Sequence, residues 1–297
     1  MKPAPFDYIA PTSFDETLSI LQQHGDDAKL LAGGQSLIPV MNFRLAQPTM
    51  IVDLNRLTSL SDMTITDSGE LVIGTMVRQR QLERSPLIAQ HAPLIHEAMP
   101  YIAHPQIRNR GTLGGSLAHA DPAGELPTLA VVLEAKLKLQ RKGQSRWVNA
   151  EEFYIELFTT TIEPEEVLTD VVFPAMPAHT GVAFHELARR HGDYAQAGVA
   201  VCITLTEQGV CQQARLGYLN VGDVPMMAHK AADMLVGETI SETLIDEAAQ
   251  VAAQHEIEPV DDVHATAAYK RHLAYVLGKR ALQEATGKIG IQYVNGE

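Results

Sequence analysis

The spacing of apolar residues in the first sixty positions predicts one helix followed by two short strands. Leucines recur at helical spacing between Ser13 and Gly25, and Ser13 followed by Glu16 is typical of the capping box that starts a helix. "AKLLAGG" then predicts a buried strand that runs into a glycine turn, and "TMIVDLN" predicts a second strand. Elements that alternate in this way indicate a chain of mixed α and β structure.

The mixed pattern continues up to Pro174 and Pro177, where the character of the chain changes. Before that pair we predict strands in "ELVIG", "KLKLQRK" and "EVLTDVVFP", and helices in "SPLIAQHAPLIHEAMPYIAH" and "TLAVVLEA". After it we predict three antiparallel strands in "GVAFHELARR", "AGVAVCITLTEQG" and "CQQARLGYLNV", then two amphipathic helices. The prediction is an α+β chain with a domain boundary near residue 177.

Composition and charge narrow the class of protein. The chain has 297 residues, 45% of them hydrophobic, and a net charge of −13, which disfavours nucleic-acid binding because that function needs a basic surface. No apolar run is long enough for a membrane span, and the N-terminus lacks a signal pattern, so we expect a cytoplasmic protein. Two cysteines, Cys202 and Cys211, are too few to hold an iron–sulfur cluster or a zinc ion by themselves.

The segment "LLAGGQSLIP" raises the first question of function. It follows a predicted strand, as a phosphate-binding turn would, but it matches neither the dinucleotide-binding fingerprint nor the Walker A loop. Two glycines after a strand are, taken alone, most often a tight turn. The alternative reading is a backbone that approaches a ligand closely.

A second glycine-rich segment, "RNRGTLGGSLAHADPAGELP", favours the ligand-binding reading. We expect Gly111, Gly114 and Gly115 to expose backbone amides, with hydroxyl donors from Thr112 and Ser116 beside them. Two such loops can form a cradle of N–H groups for a pyrophosphate.

Polar side chains follow this second loop directly. His119, Asp121 and Glu125 are suited to bind hydroxyl groups, and a carboxylate is a good acceptor for those of a ribose. Amides for a pyrophosphate and acids for a ribose together predict a dinucleotide cofactor.

The two motifs "AGGQSLIPVMNFRLAQP" and "IAHPQIRNRGTLGGSLAHADPAGELP", with "ARRHGDYA" further on, give the chain a family resemblance. It resembles the FAD-binding medium subunit of the molybdenum hydroxylases, the family of carbon monoxide dehydrogenase, xanthine dehydrogenase and quinoline 2-oxidoreductase. The resemblance extends over nearly the whole chain.

This resemblance implies a fold and a division into domains. We expect an FAD-binding domain over residues 1–177, of the vanillyl-alcohol oxidase-like type, with two lobes at roughly 1–57 and 58–177. A smaller α+β domain with an antiparallel sheet and helices is expected over 178–290, followed by a tail at 291–297.

The resemblance also implies a set of cofactor-binding residues. The first glycine segment would wrap the FAD pyrophosphate from one side and the second from the other, while Glu125 would face the ribose. Ile102 occupies a position beside the isoalloxazine ring, Leu168 one near the adenine or the ring edge, and His185 one where xanthine dehydrogenases often carry a lysine. The expected set is Leu31, Ala32, Gly33, Gly34, Gln35, Ser36, Leu37, Ile102, Thr112, Gly114, Gly115, Ser116, His119, Asp121, Glu125, Leu168 and His185.

The function implied is electron transfer within a larger enzyme, an oxidoreductase. A large molybdopterin subunit would hydroxylate the substrate, and a small subunit with two 2Fe-2S clusters would pass electrons to FAD in this chain and on to an external acceptor. The complex would be a dimer of heterotrimers acting on an aromatic N-heterocycle, and this chain would need no catalytic acid, base or metal of its own. Carbon monoxide and purine dehydrogenases, a stand-alone flavin oxidase and a cofactor-free scaffold remain alternatives.

For some residues the sequence leaves more than one role open. Arg108 and Arg110 precede the second loop and fit a phosphate clamp, a salt bridge or a subunit contact equally. Arg189 and Arg190 fit a solvated pair or the flavin edge. The twelve histidines show no metal-binding spacing, and the acids show no hydrolase spacing.

Overall fold

A computed structural model describes residues 1–290, and the expected tail at 291–297 lies outside the described residues. The first fifty residues build a small parallel sheet. Its elements in chain order are β1 (Asp7–Ile9), α1 (Phe14–His24), β2 (Ala28–Leu31), α2 (Leu37–Asn42) and β3 (Met50–Asp53). The strand order is β1-β3-β2, so β3 is the central strand. The first glycine segment is the connection from β2 to α2.

Helix α1 begins as its sequence predicts. The Ser13 hydroxyl accepts from the Glu16 N–H at 3.2 Å, which satisfies one of the free amides of the first turn. The Glu16 carboxylate accepts from the N–H of Thr12 at 2.8 Å, one residue before the usual capping-box partner.

The central part of the chain builds a five-stranded antiparallel sheet with helices packed on it. The strands are β4 (Met63–Ile65), β5 (Leu71–Gly74), β6 (Lys136–Arg141), β7 (Gln144–Asn149) and β10 (Val167–Phe173), in the order β4-β5-β10-β6-β7, with a small hairpin of β8 (Tyr154–Glu156) and β9 (Thr159–Thr160). The helices are α3 (Gln79–Arg84), α4 (Pro86–His91), α5 (Pro93–Ala98), α6 (Pro105–Arg108), α7 (Leu113–His119), α8 (Glu125–Val132) and α9 (Ala150–Phe153).

The "SPLIAQHAPLIHEAMPYIAH" stretch is helical, as its sequence predicts, and Pro93 divides it. The stretch forms α4 and α5, which are separated at Ala92. Pro93 has no amide hydrogen to continue α4, and it is instead the first residue of α5, where that loss costs nothing.

The last third of the chain builds a four-stranded antiparallel sheet covered by helices. It contains β11 (Thr180–Ala188), β12 (Ala195–Leu205), β13 (Cys211–Leu219), β14 (Met226–Met227), α10 (His229–Leu235), α11 (Glu242–His255) and α12 (Ala267–Lys288). The three long strands and the two long helices confirm the sequence prediction. Within residues 1–290 no helix is long and apolar enough to cross a membrane.

Strand β11 lies between the two largest apolar cores. Val182 and Phe184 pack in the core of the five-stranded sheet, and the Phe184 ring lies 5.3 Å from that of Tyr101. Ala183, on the opposite face of the strand, packs in the core under α10, α11 and α12. Because successive strand residues point to opposite faces, β11 joins the C-terminal sheet to the rest of the molecule.

Candidate functional site

The first glycine segment presents a row of unpaired amides. Gly34 has a φ of +73°, a conformation that glycine adopts without steric cost and that turns successive N–H groups toward one side. Among the described residues, the amides of Gly33, Gly34, Gln35 and Ser36 have no protein acceptor. Such a concave set of free N–H groups is suited to bind an anion.

The second glycine segment begins helix α7, and its amides are used within the protein. The N–H of Gly111 donates to the Ile107 carbonyl at 2.7 Å, and that of Gly114 to the Thr75 carbonyl at 2.8 Å. The N–H of Gly115 donates to the Thr112 hydroxyl oxygen at 3.0 Å, which caps the helix. The expectation that these three amides are exposed is therefore wrong, because they satisfy the ends of α6 and α7.

The fold brings the two glycine segments into contact. A Cβ atom built on Gly33 would lie 2.5 Å from the Arg110 carbonyl oxygen and 2.8 Å from the Gly111 Cα. A Cβ on Gly115 would lie 3.4 Å from the Cβ of Ala32. The glycines are needed here because two backbones pack directly on each other.

Two residues that the sequence analysis missed brace this contact. The Asn55 side-chain amide donates to the Ala32 carbonyl at 3.0 Å. The Arg78 guanidinium donates both to the side-chain oxygen of Asn55 and to the carbonyl of Arg110. Arg78 thus links both glycine segments. Because Arg78 and Asn55 lie more than twenty residues apart in the chain, no local sequence pattern indicates their contact.

A cavity of about 210 Å³ opens beside the first segment. It is lined by Leu31, Ala32, Gly33, Gly34, Gln35, Ile38, Asp53, Asn55 and Arg110. Although burial disfavours the charged form of Asp53, hydrogen bonds from Tyr8 and Asn55 hold its pKa below the usual value. The cavity thus combines free amides and the exposed Arg110 with one acid that is already occupied by protein donors.

Acidic groups collect at the other end of α7. Asp121 accepts from the Ala123 N–H at 2.9 Å, and Glu125 is the first residue of α8. Burial, with the nearby charge of Asp121, raises the pKa of Glu125 to about 7. Burial also lowers the pKa of His119, whose ring lies 5.2 Å from that of Phe158.

The structure places Ile102 and Leu168 as buried apolar residues next to the second segment. Arg108 donates to the Ile102 carbonyl at 2.7 Å and pairs with Glu83 at 2.9 Å. This buried arginine therefore stabilises the loop that contains Ile102. The Leu168 carbonyl accepts from the Thr75 hydroxyl at 2.8 Å, and Thr75 is also the partner of the second segment. Leu168 lies in β10 at an irregularity of its pairing with β6.

His185 is not brought to the glycine segments. Its Nε2 lies 2.7 Å from the Glu284 carboxylate on α12, on the face of β11 opposite to Phe184. This placement does not support the expected flavin contact at His185, since strand periodicity directs its side chain toward α12.

Glu186 is the neighbouring residue that faces the central domain, and the sequence analysis missed it. Its Oε2 is buried and has no hydrogen-bond partner among the described residues. Burial, together with the charge of Glu125, raises the pKa of Glu186 to about 8. The C-terminal sheet thus contributes an acid that faces the acidic end of the site.

The turn from β11 to β12 lies on the same side of the candidate site as Glu186. A Cβ on Gly192 would lie 2.3 Å from the ring of His104, so this turn packs against the loop that contains Ile102. Asp193 pairs with the exposed Arg189 and Arg190 at 3.2 and 3.6 Å, which supports a solvated pair for these arginines. Tyr194 is 61% exposed, and partial desolvation of its phenol, together with the charges of Asp121 and Glu125, raises its pKa.

These features fit a dinucleotide. Free amides and an arginine suit a pyrophosphate, carboxyl groups suit hydroxyls, and the apolar Ile102 and Leu168 suit a ring system.

Two family models together match nearly the whole chain. The first, described as the FAD-binding domain in molybdopterin dehydrogenase, matches residues 4–176, which contain both glycine segments. The second, the C-terminal domain of carbon monoxide dehydrogenase flavoproteins, matches residues 182–285, which contain Glu186 and Tyr194.

Known proteins of similar length agree with these matches. The 6-hydroxypseudooxynicotine dehydrogenase complex subunit alpha of Paenarthrobacter nicotinovorans is 41% identical, with 96% of each chain covered. A structure of carbon monoxide dehydrogenase from Hydrogenophaga pseudoflava superposes with a TM-score of 0.94 at 38% identity, covering 97% of this chain and 99% of the other. Quinoline 2-oxidoreductase from Pseudomonas putida 86 has a TM-score of 0.92 at 35% identity, covering 98% and 100%.

These matches confirm the resemblance, the α+β fold with an FAD-binding and a C-terminal domain, and the assignment as an oxidoreductase subunit. The chain belongs to the FAD-binding medium subunits of the molybdenum hydroxylases, the family of carbon monoxide dehydrogenase and xanthine dehydrogenase.

Proposed function

We propose that this chain is the electron-transfer subunit of a molybdopterin-dependent hydroxylase and that FAD binds where its two glycine segments meet. The apposition of Gly33 and Arg110 beside a cavity lined by free amides is the observation that carries this proposal. Membership of the family supports it independently.

The amides from Gly33 to Ser36 would bind the pyrophosphate, because they are the donors that the protein itself leaves unused. The hydroxyl group of Thr112 accepts from the Gly115 N–H, so its own proton would be available to donate to the cofactor. Ser116, one turn further along α7, would add a second hydroxyl.

The remaining residues of the expected set would hold the rest of the cofactor. Asp121 and Glu125 would accept from hydroxyl groups, while Ile102 and Leu168 would give an apolar wall that keeps water from the ring. FAD, when bound, supplies the uptake and release of electrons, and the protein binds and orients it. We propose no catalytic acid or base in this chain, since electron transfer requires none.

Partners are part of the proposal. A large molybdopterin subunit would carry out the hydroxylation, and a small subunit with two 2Fe-2S clusters would deliver electrons to this chain, which passes them to an external acceptor. We further propose a dimer of heterotrimers in the cytoplasm, with the FAD-binding domain over 1–177 in lobes of 1–57 and 58–177, and the C-terminal domain over 178–290. The fold supports the division near residue 177, because β10 ends at Phe173 and β11 begins at Thr180 in a different sheet.

We propose an aromatic N-heterocycle as the substrate of the whole enzyme. One similar protein is named for quinoline and another for a hydroxylated nicotine derivative, and both compounds contain an aromatic nitrogen ring. Similarity to the carbon monoxide dehydrogenase medium chain, at 37% identity, makes carbon monoxide the second candidate.

Absorption spectroscopy tests the cofactor. The full chain is purified alone and in the complex with which it co-purifies from its natural host, and any nucleotide released by heat is identified. A yellow protein that releases FAD supports the proposal. A protein that is colourless in both forms and takes up no added FAD overturns it.

The substrate is tested on the complex. Bleaching of the flavin band after quinoline or nicotine is added, but not after carbon monoxide, supports an N-heterocycle hydroxylase. Bleaching by carbon monoxide alone supports the second candidate. The partner subunits are identified by mass spectrometry of the same sample, and metal analysis for molybdenum and iron checks their cofactors.

A further inference from the structure

The segment Asp121–Gly124, between α7 and α8, is held by one residue of the C-terminal domain. Asn220 follows β13, and its backbone N–H donates to the Pro122 carbonyl at 2.7 Å. Asn220 has a φ of +56°, a left-handed conformation that glycine and asparagine adopt more easily than most residues. This conformation lets the backbone donor point away from its own sheet.

The side chain of Asn220 makes a second connection, to the start of β12. Its Nδ2 donates to the Ala195 carbonyl at 2.6 Å, and Ala195 directly follows Tyr194. Its Oδ1 accepts from the Lys270 Nζ at 3.4 Å. Lys270 is only 3% exposed and pairs with Asp262 at 2.7 Å. Because the Lys270 ammonium group can only donate, the Asn220 Oδ1 must face the lysine, and the Nδ2 must therefore face the Ala195 carbonyl.

Asn220 therefore joins two segments that face each other across the proposed site. One carries Asp121 and leads into Glu125, and the other carries Tyr194, whose phenol feels the charges of both acids. We propose that Asn220 is a positioning residue for the cofactor, which sets the distance between the acidic segment and the Tyr194 turn. This inference rests on the proposed FAD site.

The two connections of Asn220 can be separated by mutation. Asn220→Gly retains access to the left-handed backbone, and with it the donor to Pro122, but removes the bond to Ala195. Asn220→Asp retains an acceptor for Lys270 but places an oxygen without a hydrogen against the Ala195 carbonyl. Both variants loosen the Tyr194 turn while the loop to Pro122 stays in place.

A matched control exists elsewhere in the C-terminal domain. The Glu256 carboxylate accepts from the amides of Lys230 and Ala231 at 2.7 and 2.9 Å and so caps α10. Glu256→Gln weakens a partly exposed attachment that also consists of two hydrogen bonds, and it does not touch the segments of the proposed site.

The affinity for FAD is measured by fluorescence titration of the full chain, alone or in the complex in which it takes up flavin. We expect Asn220→Gly and Asn220→Asp to bind FAD about tenfold more weakly, the effect of one lost hydrogen bond. At saturating FAD their visible absorption band should lie closer to that of free flavin, whereas Glu256→Gln should keep both wild-type values. Urea unfolding of the cofactor-free proteins compares their stability.

The outcomes separate the two proposals. Wild-type protein that binds no FAD contradicts the proposed function itself. Wild-type protein that binds FAD, with Asn220→Gly equal to it in affinity and absorption band, overturns the positioning role alone. An equal loss of affinity in Glu256→Gln also overturns it, since the effect would then follow general stability.

Discussion

The backbone of Gly33 lies against that of Arg110 so closely that a methyl group on Gly33 would stand 2.5 Å from the Arg110 carbonyl oxygen. Two segments almost eighty residues apart are therefore joined through glycine backbone, beside the cavity that we assign to FAD.

Gly33→Ala should weaken FAD binding at least tenfold, because the added methyl meets rigid backbone and must push the two segments apart. The free energy of unfolding should fall by about 1–3 kcal/mol. Flavin content and urea unfolding measure the two effects. Gly287→Ala is the control: a Cβ at Gly287 in α12 would have nothing within 4 Å, so flavin content should not change. Equal flavin content in both variants would contradict the assignment of the first segment.

Gly114 and Gly115 should respond differently to substitution. A Cβ on Gly114 would lie 2.3 Å from the buried Thr75 Cβ, so Gly114→Ala should lose several kcal/mol of stability or fail to fold. Gly115→Val should fold, since its Cβ meets mainly the Thr112 hydroxyl at 2.8 Å, but its methyl groups fill the space toward Ala32 and should abolish FAD retention. Circular dichroism and flavin content distinguish these results. A folded Gly115→Val protein with normal flavin would remove the second segment from the site.

Glu186 and Glu125 should make the stability of the cofactor-free chain depend on pH. Their pKa values, about 8 and about 7, lie above the ordinary 4.5, so the folded state binds more protons than the unfolded state between pH 4.5 and 8. The free energy of unfolding should therefore decrease as pH rises through this window and level off above pH 8. Tyr101 is a further titratable group that feels the charge of Glu186, and its pKa is raised above 10, so it stays neutral throughout.

Glu186→Gln should flatten this dependence, because an amide cannot ionise. We expect the variant to be more stable than wild type by about 4 kcal/mol at pH 8 and by about 1 kcal/mol or less at pH 5, as measured by urea unfolding. Glu284→Gln is the control, since the pKa of Glu284 is lowered by Lys288 and its removal leaves the slope above pH 5 unchanged. An unaltered slope in Glu186→Gln would show that this carboxyl group is ionised at neutral pH.

Arg108 should prove to be a structural residue. It is 4% exposed, and Arg108→Met leaves Glu83 without its buried partner and the Ile102 carbonyl without its donor. The expected loss in free energy of unfolding is about 3 kcal/mol. Arg190→Ala, at 82% exposure, should lose less than about 0.5 kcal/mol. Urea unfolding of both variants checks this, and a loss below about 1 kcal/mol for Arg108→Met would contradict the role.

Much of the fold could be predicted because its signals lie within a few residues of one another. Ser13 and Glu16 define the start of α1, and the apolar spacing in β2, β3 and β10 defines those strands. The two glycine motifs also carry their meaning locally, because a backbone that needs Gly34 at positive φ tolerates little else.

The partners of these residues could not be predicted in the same way. The sequence indicated exposed amides at Gly114 and Gly115, yet helix capping and the Thr75 carbonyl use them. The brace from Asn55 to Arg78 depends on contacts between elements that are distant in the chain. Such contacts follow from how the sheets pack and leave no periodic signal.

The sequence by itself determined the class of cofactor and the order of the main elements. Only the tertiary structure decided which of His185 and Glu186 faces the site. Strand β11 is apolar on both faces because it lies between two cores, so its pattern does not show which face is which. A strand directs successive side chains to opposite sides, and the packing of Phe184 on Tyr101 therefore turns Glu186 toward the site and His185 toward α12.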